Sequence, residues 1–94
     1  MCTLTTEQLA VDGHGKGPEG WLRLESATVC YDHPTRGTAD HVLVIDLWGG
    51  DVRSGSRIAI ELSATSAAAL ARAIHQALAS PQARQDLSGD VATA

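Results

Sequence analysis

The chain has no phenylalanine, and one tyrosine and two tryptophans are the only aromatic residues among its 94. Any core must therefore be assembled from aliphatic side chains, brought together by strands and helices without large aromatic anchors. Lysine is almost as scarce. Lys16 is the only one, and seven basic residues stand against 11 acidic ones, for a net charge of −4. No basic run or stripe exists, which argues against nucleic acid and against an anionic membrane surface as partners. No apolar window approaches the roughly 20 residues that a membrane span needs. Glu7 interrupts the N-terminus before a signal-peptide apolar stretch can form, so the expected location is cytoplasmic. In that reducing compartment Cys2 and Cys30 are expected as thiols rather than as a disulfide.

Hydrophobic residues nevertheless make up 44% of the chain, enough for a globular domain of this length. Residues 2–12 are rich in threonine with spaced apolar positions and read as a first strand. Residues 13–20 hold four glycines and a proline and read as a loop. Trp21 to His33 reads as a long strand with a fault. Its apolar positions run Leu22 and Leu24, then Ala27, Val29 and Tyr31, and the change of parity near Glu25-Ser26 implies a β-bulge or break. His41 to Trp48 and Arg57 to Leu62 are two further strands, the latter strictly alternating, with a glycine-rich loop over 49–56 between them.

Ser63 is a plausible N-cap for a helix whose Ala67, Leu70, Ala71, Ile74, Ala77 and Leu78 form one apolar stripe. Ser80-Pro81 ends it. The expected architecture is α+β: a small, largely antiparallel sheet of about four strands with one C-terminal helix packed on one face. Residues 1–80 form a single domain in this reading, and 81–94 a flexible tail. Leu70, Ile74 and Leu78 would each contribute about 1.5–3 kcal/mol if fully buried. One helix covers one sheet face, which leaves Val42, Val44, Trp48, Leu22 and Leu24 exposed on the other. A patch of that kind marks an interface, so a homo-oligomer is expected, in the form of a two-fold dimer.

The segment Tyr31-Asp32-His33-Pro34-Thr35-Arg36-Gly37-Thr38-Ala39-Asp40-His41 carries Asp-His twice around a turn. If the flanking strands pair as a hairpin with His33 opposite His41, one face takes Tyr31, Val29 and Ala27 with Leu43, Ile45 and Leu47. The other takes Asp32, Cys30 and Thr28 with Val42, Val44 and Asp46. Both histidines then sit at the edge of the apolar face, while the two aspartates lean away from it.

In the order of these features the chain resembles a set of short bacterial proteins, common in actinomycetes, that carry a domain-of-unknown-function label. The matching residues are Met1-Cys2-Thr3, Gly15-Lys16-Gly17 with Gly20-Trp21, Ala27-Thr28-Val29, Tyr31-Asp32-His33-Pro34, His41, and Ile60-Glu61-Leu62 before an alanine-rich helix. The resemblance implies no activity, but it singles out Cys2, His33 and His41 as a set. His14 and Cys30 look particular to this chain.

Two imidazoles and a thiolate suit zinc or a related divalent transition metal, and three protein ligands leave a fourth position for water or a small-molecule substrate. His33 and His41 would then be the catalytic residues of a small metal-dependent enzyme, or act as a proton-transfer pair. The competing reading makes them two histidines hydrogen-bonded to backbone at a hairpin end, in a non-catalytic, metal-free homodimeric binding or accessory protein. Cys2 as a nucleophile requires a cation or histidine beside it, hence a first strand that runs along the hairpin neck. Cys30-x-x-His33 has a ligand-like spacing, but strand geometry points its ends to opposite faces. Gly15-x-Gly17-x-x-Gly20 matches a dinucleotide fingerprint by letter, without the helix start that would meet the phosphates. His75 lies on the polar side of the helix, and no role is assigned to it.

Overall fold

The computed structural model describes residues 3–50 and 57–93, with side chains over 5–50 and 57–89. The elements run in order as β1 (Thr3–Gly17), β2 (Gly20–Asp32), β3 (Val42–Trp48), β4 (Arg57–Leu62), α1 (Ala64–Leu78) and α2 (Pro81–Thr93). The strands form one antiparallel sheet in the order β1-β2-β3-β4, so the protein is α+β. It divides into a sheet unit that ends at Ala64 and a helical unit from Thr65. None of the helices among the described residues is long and apolar enough to cross a membrane.

Three expectations need correction. Residues 13–17 are strand rather than loop, because the glycines pair in the ladder: Gly13 with Leu24, Gly15 with Leu22 and Gly17 with Gly20. The turn shrinks to Pro18-Glu19, closed by Gly20 at a φ of 118° that a side chain would disfavour. There are two helices rather than one, and α2 occupies the segment expected as a tail. Pro81 stands at its first position, where the missing N–H costs nothing, and the Ser80 hydroxyl accepts from Ala83 N at 3.3 Å as its cap.

The fault in β2 is real, but the extra residue lies on its neighbour. Ala10 pairs with Ser26 and Gly13 with Leu24, so Val11 and Asp12 together oppose Glu25. Arg23 reaches across to Asp12 and to the Gly13 carbonyl. The bulge turns the far half of the β1–β2 hairpin toward β4. A methyl group on Gly15 would come 2.5 Å from Ile58 Cδ1 and 3.0 Å from Leu24 Cδ1. That bend explains why Leu24 is buried at 6% exposure although its parity differs from that of Ala27, which is equally buried.

The remaining register gives the sheet two distinct faces. One carries the rows Thr5–Tyr31–Leu43–Leu62, Glu7–Val29–Ile45–Ile60 and Leu9–Ala27–Leu47–Ile58. The other carries Thr6–Cys30–Val44–Glu61, Gln8–Thr28–Asp46–Ala59 and Ala10–Ser26–Trp48–Arg57. The second face is not the exposed apolar patch expected of it. Val42 and Leu24 are buried, Val44, Trp48 and Leu22 are half-buried, and acidic and basic side chains are interleaved with them. Exposed apolar side chains are found on Leu9 and Ile60 of the first face, on Trp21 near the start of β2, on Leu70, Ile74 and Leu78 of α1, and on Leu87 of α2.

Close packing of β2 on the exit of β3 has a measurable consequence. A methyl group on Gly49 would lie 1.9 Å from the Arg23 carbonyl oxygen, backbone that cannot give way, whereas Gly13 has open space around it. Gly49→Ala is expected to cost about 3 kcal/mol, at the upper end for overpacking, and Gly13→Ala less than about 0.5 kcal/mol. Chemical denaturation of the two variants beside the parent checks the contrast.

Candidate functional site

The two strands that meet at the neck of the β2–β3 hairpin are paired in the register expected, Tyr31 with Leu43 and Asp32 with Val42. His33 and His41 are the next residues outward on either side. Their ring centroids are 5.0 Å apart with 30° between planes, and His41 in turn stacks on Tyr31 at 5.7 Å and 23°. Tyr31, His41 and His33 thus form a short ladder of rings at the end of the apolar face.

His33 Nδ1 lies 3.2 Å from the Asp40 carbonyl oxygen. A carbonyl can only accept, so Nδ1 carries the proton and Nε2 presents a lone pair. This is the arrangement found in metal-ligating histidines, where a backbone carbonyl sets the tautomer. The rings face each other rather than a common point, so joint coordination of one ion requires a rotation of the imidazoles. Of the two aspartates, Asp32 is buried on the opposite face, where its Oδ1 accepts from His33 N at 2.7 Å. Asp40 is exposed and contributes its main chain.

Cys2 lies outside the described residues. The described part of β1 runs antiparallel beside β2, and Thr3 is paired with Asp32, the residue before His33. Among the described residues, no three His, Cys, Asp or Glu side chains converge as a metal-binding group. Cys30 points to the other face, where burial first, then Asp32 and Asp46, push its thiol above the ordinary value. A raised pKa leaves less thiolate for attack or ligation.

Sequence reasoning missed Glu61. From the C-terminal end of β4 its carboxylate accepts from the backbone N–H of Thr35 at 2.9 Å and of Arg36 at 3.1 Å, which ties the hairpin loop to the sheet. These contacts, with the Thr35 amide the largest influence, hold the Glu61 carboxyl below its ordinary value despite some desolvation. On the same face is a cavity of about 770 Å³ floored by Cys30, Val44 and Ala59. One wall holds the Arg57 Nε–Asp46 Oδ1 ion pair at 3.0 Å, in which Asp46 raises the Arg57 pKa further. The signal was legible in part: Asp46 and Glu61 are carboxylates set inside otherwise apolar strands.

A family model described as a family of unknown function, DUF6295, matches residues 1–88. The chain belongs to that family. No curated protein and no solved structure matches it.

The Glu61 anchor implies a pH dependence of defined sign. Its folded pKa is lowered, so its contribution is complete above the ordinary value of 4.5 and is lost as the pH falls through the lower folded value. Protection of the Thr35 and Arg36 amides relative to their intrinsic exchange rates should fall below pH 4.5, and Glu61→Gln should show that reduced protection at neutral pH. Unchanged protection of both amides in the variant would contradict the anchor.

Proposed function

We propose that this member of the DUF6295 family binds a divalent transition metal such as zinc through His33 and His41, with Cys2 as the third ligand. The observation that carries the reading is the pair of rings 5.0 Å apart beside the start of β1. His33 offers Nε2 because Asp40 engages Nδ1, and a modest ring rotation aims both imidazoles at a shared ion. A thiolate from Cys2 completes a two-nitrogen, one-sulfur set suited to zinc and keeps a fourth position open for water or a small metabolite. The histidines would then act on that metabolite as the catalytic residues of a small enzyme. The reading places the protein in the reducing cytoplasm, where Cys2 remains a thiol.

A second reading rests on a separate observation. Leu70, Ile74 and Leu78 of α1 are 42%, 51% and 43% exposed, and Leu9 and Ile60 on the sheet are exposed as well. Left in water, the α1 stripe forgoes about 1.5–3 kcal/mol for each large side chain. We propose that the protein is a two-fold homodimer that covers this apolar surface. Such a dimer needs no metal and is compatible with a non-catalytic binding or accessory role.

Titration of the purified protein with zinc is expected to give one ion per chain. His33→Ala, His41→Ala and Cys2→Ser should each weaken binding at least about tenfold. Acidification should weaken it too, because protonated imidazole and thiol cannot ligate. Equal affinity in parent and His41→Ala would remove the metal reading. For the second reading, sedimentation should show a dimer at micromolar concentration and a monomer for Ile74→Asp. A parent protein that sediments as a monomer would remove it.

A further inference from the structure

The polar sheet face has a chemistry of its own: His33 borders its cavity, but the metal reading makes no use of the charged side chains that line the rest of it. Three carboxylates, Asp32, Asp46 and Glu61, line its cavity against two guanidinium groups, Arg36 and Arg57. The small side chains of Cys30, Val44 and Ala59 make the floor, so the hollow is shaped by what is missing between taller walls. Its volume of about 770 Å³ falls within the range of small-molecule sites. The Asp46 side chain is 19% exposed and that of Arg57 51%, so the acid lies deep and the base at the rim. Glu61 holds the loop that forms the opposite wall. Three carboxylates against two guanidinium groups leave the lining with a formal excess of one negative charge.

We infer that this cavity binds a small organic cation carrying one or more ammonium groups, which enters beside Arg57 and is held by Asp46 and Asp32. A shielded carboxylate at the base of a concave site is worth more to a cation than one on open surface, because fewer waters compete. Arg57 occupies part of that field and acts as a resident competitor for Asp46. The inference is of binding only.

Calorimetric titration of the full chain with putrescine, and with succinate as an anion of similar length, tests this with a chelator present to silence any metal. Saturable putrescine binding that weakens with added salt is expected, with none for succinate. Asp46→Asn should weaken it at least about tenfold, while Arg57→Gln should tighten it by removing the competitor. If the ion pair were merely structural, the two substitutions would shift binding in the same direction. Absence of putrescine binding, preference for succinate, or weakening by Arg57→Gln would each overturn the proposal. Because a chelator is present throughout, failure here leaves the histidine reading standing, and loss of metal binding leaves this one standing.

Discussion

Everything distinctive about this protein depends on the register of one antiparallel pair. With Asp32 opposite Val42 and Tyr31 opposite Leu43, each residue of β2 has its face assigned, and β4 inherits the assignment through Leu43–Leu62 and Ile45–Ile60. A slip of one residue would put Asp46 among the aliphatic rows and separate the two histidine rings. The aliphatic positions of the first face, Ala27 and Val29 against Leu47 and Ile45, oppose such a slip, so the interaction that stabilises the sheet also places the chemistry. The histidine ladder is a by-product of hydrophobic alternation continued one residue past the strand ends.

The two faces divide the labour. The apolar side ends in Tyr31, His41 and His33, while the polar side holds Asp46–Arg57 and the Glu61 tether around a cavity. His33 joins them: its ring stacks with His41, its backbone N–H donates to Asp32, and it borders the cavity. The loop between the strands is held from both sides, by Asp40 and by Glu61, without a disulfide. Exposed ion pairs such as Arg23–Asp12 add little by comparison, since water screens both partners.

Side-chain alternation made the β2–β3 pairing, β4 and the α1 stripe legible in the sequence, since each writes its periodicity in Leu, Ile and Val. The second half of β1 was not legible, because Gly13, Gly15 and Gly17 carry no side chain to show a period. The parity change at Glu25-Ser26 was visible, but it could not reveal that the extra residue belonged to β1, because a bulge is a property of a pair. Val42 and Leu24 were expected in an exposed patch and are buried. The burial of Leu24 depends on a bent hairpin that brings it beside Gly15 and Ile58, which no single strand encodes.

Local pattern alone determined the α+β class, the register of the central hairpin and hence the meeting of His33 with His41, because all three follow from which side chains must leave water together. Tertiary structure decided the rest. It set β1 beside the neck, brought Glu61 to Thr35 and Arg36 across 26 and 25 residues of chain, and joined Asp46 to Arg57. Those contacts depend on strand order, which is not a property of any stretch of sequence taken alone.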